Sequence, residues 1–504
     1  MIRENDIQWP QSRLSDLQLL IGLALIKFAV HLVFNNQYGF HQDALAFLAN
    51  GLNLDWGYVA YPPLTPFIGR IGLELFGPSL VGIKSLAVLA QCIAMVVTGL
   101  MAKELGGDRR AQVIATLAAA IGIMSLGMST LFQYITFDYL WWVLIFYCLI
   151  RLLKDDNPTW WLGIGIFIGL GMMTKYTMIF LVAGLALSAL IFADLRKHLF
   201  SRWLWLGVGA SLLIFLPNLI WQIQHDFISI DFLNSISARD RAMGRADGFF
   251  VQQLYVNLNP VAVPLAIAGL YYLLAGDGQK FRPICIIFIL TTALFAVARG
   301  RFYYTAPLYP SLLAAGAVFI SNWLSHKSET VQNRLIWSGW GLFVVGAIAG
   351  MIIFVPFAPV HSAVWDLTLG IHDNYYDQIG WDDLVNETAK IYEAHEDMHQ
   401  NLGILASHYG SASAFQIYGD SYDLPVAISP VNSYWLRGYG ENPPDAVLTI
   451  GYEVNEIDGY FSSCDLVGKA ENRYGIEKPR PEIFLCSGLL ASWETLWPEL
   501  QRFS

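Results

Sequence analysis

The sequence predicts a polytopic α-helical membrane protein that carries a small α/β domain outside the membrane at its C-terminal end. Three observations predict it. Of 504 residues, 55% are hydrophobic and only 14% charged, against about 25% charged in ordinary soluble domains. Long uncharged runs fill the chain up to residue 356. Residues 357–504 then hold 7 Lys and Arg against 22 Asp and Glu, and the rest holds 23 against 18, so the formal charge of −10 is concentrated in the tail. This composition excludes a soluble enzyme, and an acidic tail without a basic patch argues against nucleic acid as a partner.

A helix rising about 1.5 Å per residue needs about 20 apolar residues to cross about 30 Å of hydrocarbon, where backbone amides cannot be left unpaired. Eleven stretches read as spans: 15–34, 79–101, 112–130, 134–153, 159–174, 176–194, 203–223, 256–275, 283–299, 303–323 and 335–356. The stretch 159–174 is short, and only Lys175 separates it from the next, so it reads either as a span or as half of a bent hairpin. Lys and Arg accumulate on cytoplasmic loops. Arg3, Arg13, Lys103, Arg109, Arg110, Arg151, Lys154, Arg196, Lys197, Arg202, Lys280, Arg282, Lys327 and Arg334 all fall on one side, assigned to the cytoplasm, which puts the N-terminus inside and the tail outside. The first apolar run is too long for a signal-peptide core and lacks a small-x-small cleavage site, so it reads as a retained helix.

The chain thus divides into a membrane domain, 1–356, with large external loops at 35–78 and 224–255, and an external domain, 357–504. In the tail, NLGILAS, DAVLTIG and EIFLCSG read as strands and WDDLVNETAKIYEAHEDMH as a helix. Cys92, Cys148 and Cys285 lie in apolar spans as small hydrophobes. Cys464 and Cys486 are the pair in the tail. They read as a disulfide, which would close a loop worth about 3 kcal/mol in chain entropy, or as two thiols.

The candidate site residues gather on the outer face. In the loop 35–78, Leu45, Leu48, Ala49, Leu52 and Trp56 repeat at helical spacing, which predicts an amphipathic helix lying in the interface. Asp43 opens that helix, either as a cap, since helix N-termini favour carboxylates, or as a functional acid. Asp138 lies a turn inside the fourth span. An acid at that depth is a functional candidate or the partner of Lys175 in an ion pair. Lys175 itself reads as a snorkelling ammonium or as a phosphate clamp. The segment RGRFYYTAPLYP sets Arg299, Arg301, Tyr303 and Tyr304 at the external start of the tenth span, as an aromatic belt or as a site for an anionic head group. The loop 224–255, with His225, Asp226, Asp231, Arg239, Asp240, Arg241 and Arg245, is long enough to cover an outer cavity. No GxxxxGK[ST], CxxC or DxD is present, so neither a cofactor nor a metal is indicated. Gly163, Gly165, Gly169 and Gly171 lie inside an apolar span and read as a helix-packing face.

The string HQDALAFLANGLNLDWGYVAYPPLTPFIG resembles the first external loop of bacterial glycosyltransferases of the dolichyl-phosphate-mannose protein mannosyltransferase type. MTKYTMIFL, LPNLIWQIQHDF and RFYYTAPLYPSLLAAGAV resemble later segments of the same family, and ASHYGSASAFQIYG, SPVNSYWLRG and FLCSGL are similar to the external domain of one bacterial branch. The resemblance implies the GT-C fold, a bacterial inner (plasma) membrane location and a polyprenyl-phosphate sugar as donor. It implies Asp43 as the base toward an acceptor hydroxyl and Asp138 as a second acid. It implies donor-phosphate contacts at Lys175, Arg301, Tyr303 and Tyr304. His41, His225 and Arg239 fall to the acceptor or the loops. Ala44, Ala46 and Ala60-Tyr61 depart from the family pattern, and these departures bear on the acceptor.

The expected reaction is transfer of a hexose, mannosyltransferase-like, by one inverting displacement without a metal. The acceptor is a glycan, a lipid or a protein. Two rival readings are a transporter or flippase for a polyprenyl-linked glycan, and a catalytically weakened relative that binds a partner. Transporters place their sites near the midplane and carry internal repeats, and no repeat is evident here.

Overall fold

The computed structural model describes residues 14–503; Arg3 and Arg13, counted above for the cytoplasmic face, lie outside the described residues. The membrane part runs α1 (Asp16–Phe34), α2 (Gln42–Leu52), α3 (Leu64–Phe76), α4 (Leu80–Glu104), α5 (Arg109–Ala120), α6 (Ile123–Met128), α7 (Tyr134–Asp155), α8 (Trp160–Met172), α9 (Met178–Ile191), α10 (Ala193–Arg196), α11 (Arg202–Gln224), α12 (Ile228–Ala242), α13 (Phe249–Gln252), α14 (Val263–Leu274), α15 (Arg282–Val297), α16 (Tyr309–Ser325) and α17 (Glu329–Phe354).

Among the described residues, seven helices are long and apolar enough to cross a membrane, or nine if each of two bent pairs counts as one span. The expectation of eleven simple spans is corrected at four places. The stretch 112–130 is two short helices, α5 and α6, parted at Gly122, whose extended ψ of 133° starts α6 afresh. The stretch 159–174 is α8, of only 13 residues. The stretch 176–194 turns through 103° between Met178–Ile191 and Ala193–Phe200. The stretch 256–275 follows a 98° bend between Phe249–Asn257 and Pro260–Leu274. There Asn259 caps the new turn, and Pro260 lacks the N–H that a continuing helix would need.

The basic residues assigned to one side do meet at one end of the bundle. Arg109 pairs with Asp16 at 3.4 Å, Lys154 with Glu104 at 3.0 Å and Lys197 with Asp156 at 2.6 Å. Lys280 donates to the carbonyl of Lys154 at 2.8 Å. The glycines of α8 work as packing residues, since a Cβ on Gly165 would strike the backbone of Gly207 in α11. That contact lets two short-waisted helices approach backbone to backbone, where dispersion contacts replace the missing hydrophobic drive.

Beyond α17 the chain forms α18 (Ala363–Leu369), α19 (Trp381–His395), α20 (Tyr409–Tyr418) and α21 (Ser433–Arg437) around a four-stranded sheet of order β1-β2-β4-β3. The strands are β1 (Leu402–Ala406), β2 (Ala446–Ile450), β3 (Phe461–Lys469) and β4 (Glu482–Leu489). β1 runs parallel to β2, and the other pairs are antiparallel. β1, β2 and β4 coincide with the three expected strands. β3 was not expected, because its sequence FSSCDLVGK is largely polar and its side chains are mostly outside the core. Cys464 of β3 sits opposite Cys486 of β4, and the two are joined by a disulfide.

The helix expected to lie in the membrane interface is instead buried. All residues of α2 from Ala44 to Gly51 are withdrawn from solvent, and Trp56, counted on its apolar face, lies beyond the helix and is 59% exposed. The reason is that Ala44, Ala46 and Phe47 make α2 apolar around its circumference, and such a helix seeks contacts on every side. It packs against α3 on one side and α20 on the other. One hydrophobic core consequently runs from the membrane helices through Leu45, Phe47 and Leu48 into Ala412, Ala414 and Phe415 of the C-terminal part.

Candidate active site

α2 begins at His41, whose side-chain Nδ1 accepts the backbone N–H of Asp43 at 3.1 Å. The cap is therefore His41, and the Asp43 carboxylate is left for other contacts. Oδ1 accepts the hydroxyl of Tyr409 at 2.6 Å, and Oδ2 accepts the amide of Gln133 at 3.2 Å. The ring of His41 lies between two carboxylates, with Nδ1 3.8 Å from Asp43 and Nε2 3.6 Å from Asp377. Gln42 also donates to Asp377, at 3.1 Å. Burial holds the Asp377 carboxyl above its ordinary range, and the His41 ring opposes that rise. The Asp43 side chain keeps 37% of its exposure, so it is held but still reachable.

One turn along α2, Phe47 packs on Tyr61 (4.5 Å between ring centres) and on Tyr134 (5.4 Å). Tyr134 opens α7 and joins two halves of the site. On its other side lies the ammonium of Lys175, 5.0 Å from the centre of the Tyr134 ring, 3.7 Å from that of Tyr304 and 5.9 Å from that of Tyr303. The turn between α8 and α9 presents this lysine, with its backbone N–H tied to the carbonyl of Gly171 at 2.8 Å. Among the described residues no carboxylate lies within 4 Å of that ammonium. Ring faces hold a cation by about 0.5–2 kcal/mol without using its N–H donors, so the donors stay available to an anion.

Arg301 stands beside this cage. Its guanidinium grips Asp240 through two hydrogen bonds of 2.6 and 2.9 Å and donates to the Tyr303 hydroxyl at 2.9 Å. Asp240 gathers Arg245 at 3.3 Å and Arg239 at 3.7 Å as well. Burial works against its charge, but the guanidiniums of Arg301, Arg245 and Arg239 hold the carboxyl below its ordinary value. The buried Nε of Arg239 has no hydrogen-bond partner among the described residues. Arg299 and Arg241 border a neighbouring cleft of about 480 Å³, floored by Phe249, Phe250 and Val251.

The expected residues do not all converge. Asp43, His41, Lys175, Arg301, Tyr303 and Tyr304 belong to one continuous chain of contacts through Tyr134. Asp138 lies one turn deeper in α7, buried, and accepts the indole N–H of Trp142 at 3.0 Å; it makes no contact ion pair with Lys175, which corrects that alternative. His225 stacks on Trp221 at 4.0 Å and binds its carbonyl. It anchors the loop near Asp55, to which the Trp221 indole donates at 2.7 Å. Arg239 touches Asp240 at 3.7 Å and acts on His408 electrostatically.

Several participants were missed from the sequence. Tyr134 stands four residues before Asp138, hence on the same helical face, so its signal was present. Tyr409, His408 and Asp377 lie in the tail; His408 and Tyr409 fall in the ASHYGSASAFQIYG segment, which carries a resemblance but no role for either residue, and no local pattern marks Asp377. Among the described residues no group of three His, Cys, Asp or Glu side chains is arranged to hold a metal.

Residues 60–221 match the family model described as dolichyl-phosphate-mannose-protein mannosyltransferase. Over that stretch only, the chain is similar to the family; it is 26% identical over 249 residues to the lipopolysaccharide core galacturonosyltransferase RgtB of Rhizobium johnstonii, covering 49% of each chain. It is 25% identical over 320 residues to the lipid A galacturonosyltransferase RgtD of the same organism, covering 60% of this chain and 65% of the relative. The undecaprenyl phosphate-α-4-amino-4-deoxy-L-arabinose arabinosyl transferase 1 of Pseudomonas fluorescens is 26% identical over 304 residues, 57% of this chain and 54% of its own. These matches span about half to two thirds of the relatives' lengths. In three dimensions the chain resembles ArnT from Cupriavidus metallidurans bound to undecaprenyl phosphate, with a TM-score of 0.58 at 13% identity over 94% of this chain and 98% of the other. It also resembles the archaeal oligosaccharyltransferase AglB from Archaeoglobus fulgidus, with a TM-score of 0.50 at 12% identity, over 88% of this chain and 70% of the other. The fold is that of these two structures, and the protein is a multi-pass membrane protein.

Proposed function

We propose that this protein transfers a sugar from a polyprenyl-phosphate donor to an acceptor hydroxyl at the outer face of the bacterial inner membrane. The observation that carries the reading is the Lys175 ammonium, buried among three tyrosine rings with no carboxylate in contact, beside an arginine and one aromatic ring away from Asp43. A phosphate ester satisfies that cation, and its lipid tail suits the apolar helices around it. The donor phosphate is held by Lys175 and Arg301, with the hydroxyls of Tyr303 and Tyr304 near it. Asp43 accepts the proton of the acceptor hydroxyl as its oxygen attacks the anomeric carbon. The bond from that carbon to the phosphate oxygen breaks, the configuration inverts, and polyprenyl phosphate leaves with its charge met by the two cations. No metal has a part in this sequence. The sugar is expected to be a hexose; the names of the relatives, two galacturonosyl and one aminoarabinosyl transferase, extend the set to test to uronic acids and amino pentoses.

The test is turnover of polyprenyl-phosphate sugars of these three classes by the full chain in lipid, with and without a chelator, reading released polyprenyl phosphate. Acceptor-dependent release that survives the chelator and is lost in Asp43→Asn supports the reading. Equal release by wild type and Asp43→Asn removes Asp43 as the base. A sugar lipid that changes leaflet without being consumed points to transport.

A further inference from the structure

We propose that the C-terminal domain supplies part of the catalytic site, with Tyr409 acting as the positioning residue for the Asp43 carboxylate. The inference rests on the transferase reading above and adds to it a role for a domain that no comparison assigns to catalysis.

The geometry is specific. α2 and α20 meet at their N-terminal ends, where a Cβ on Gly410 would stand 3.0 Å from the Cβ of Gln42. Both helices are capped in the same way, by a histidine whose Nδ1 accepts the backbone N–H two residues on: His41 for Asp43 and His408 for Gly410, each at 3.1 Å. The Asp43 carboxylate thus lies where two helix N-termini come together, a place that favours a negative charge. Between them the Tyr409 hydroxyl closes on Oδ1 at 2.6 Å, the length of a charge-assisted O–H···O⁻ bond. Burial, with the carboxylate beside it, pushes the Tyr409 phenol well above its ordinary value, so it stays protonated and acts as a donor at all working pH.

A second tie comes from the same domain, since Asp377 engages both His41 and Gln42. From the membrane domain, among the described residues, the Asp43 carboxylate receives one hydrogen bond, from Gln133, with the His41 ring 3.8 Å away. A base must be held within a few tenths of an ångström to meet the proton it takes, and a carboxylate on a short helix turns freely about its own side-chain bonds unless both oxygens are fixed. Gln133 fixes one oxygen and Tyr409 the other. Each oxygen keeps a second lone pair, and the exposed part of the carboxylate is where the acceptor hydroxyl arrives.

The decisive experiment compares wild type, Tyr409→Phe, Asp43→Asn and the double variant, all full-length in lipid, in the turnover assay with whichever polyprenyl-phosphate sugar the wild type consumes. Loss of one hydrogen bond to a charged group lowers kcat about tenfold or more. The expected result is that fall in Tyr409→Phe with the KM for donor unchanged, and no further loss when Tyr409→Phe is added to Asp43→Asn. A role in domain docking alone would lower the melting midpoint and leave kcat in place, and that outcome overturns the inference. So does wild-type turnover by Tyr409→Phe. Should Tyr409→Phe fail to fold, Gly410→Val moves α20 off α2 with the hydroxyl retained, and the same fall in kcat is expected; unchanged kcat there overturns the inference while the transferase reading stands. A wild type that consumes no donor sinks the transferase reading and the positioning role together.

Discussion

His408 offers a sharp test of how the C-terminal domain is held on α2. Its ring packs tilted against Tyr409, with centres 4.1 Å apart, and its Nδ1 accepts the N–H of Gly410, which requires that nitrogen to be unprotonated. Burial pushes the imidazole down to about 4 from its usual 6.5, with nearby Asp43 opposing the fall and Arg239 adding to it. A base held below its unfolded value takes up a proton in the unfolded chain first, so the folded state loses stability as pH falls from 6.5 toward 4 and loses no more below that. At about 1.36 kcal/mol per pH unit the gap amounts to roughly 3 kcal/mol. His408→Asn keeps a side-chain acceptor for the Gly410 N–H and removes the titration. The assay is thermal or chemical unfolding in lipid at pH 7.5 and pH 4.5, wild type beside His408→Asn. Wild type is expected to lose about 3 kcal/mol more than the variant over this interval. Asp377, held above its ordinary value, acts with the opposite sign, but it is present in both proteins and cancels. Equal losses in the two proteins would refute the buried, neutral cap.

Further outcomes follow from other contacts. Asp240→Asn strips the carboxylate from Arg301, Arg245 and Arg239 and is expected to cost about 2 kcal/mol, below the 3–5 of a fully buried pair because Asp240 keeps 12% exposure; urea unfolding of the purified protein measures it. Since Asp240 is held below the ordinary carboxylate range, its contribution is in place at neutral pH and vanishes only as pH falls through that lowered value. Lys84→Met removes the buried ammonium that donates to the Gln37 carbonyl at 2.8 Å and to the Gln378 amide oxygen at 3.1 Å. Two acceptors left unmet cost about 1–3 kcal/mol each, and limited proteolysis of residues 355–380 is expected to quicken. Gly207→Leu forces α8 and α11 apart and is expected to lower the melting midpoint, while an equal change at Gly209, which has open space around its Cβ, leaves it in place. Reduction of the Cys464–Cys486 bond opens a loop of separation 22, worth about 3 kcal/mol by chain entropy, and a chain that unfolds at the same denaturant concentration after reduction would contradict that value.

The sequence by itself determined the membrane class, the sidedness of the basic residues, three of the four strands and the polar residues at one face of the bundle. These are local or cumulative signals: the mean hydropathy of a window, the apolar character of a short strand, the identity of a charged side chain in an apolar run. The tertiary structure decided where helices break, because a bend at Gly122 or Pro260 depends on what lies beside it as much as on the residue. It decided that α2 is buried instead of lying in the interface, since spacing reports an apolar face but not how many neighbours cover it. It decided the partner of Arg301, which is Asp240, and set the Lys175 ammonium against tyrosine rings, with Asp138 in its electrostatic field but not in contact. Above all it brought Tyr409 to Asp43 across 366 residues of chain. No periodicity registers such a pair, because its two halves carry separate local patterns and meet only once the core running through α2 has joined the membrane helices to the C-terminal sheet.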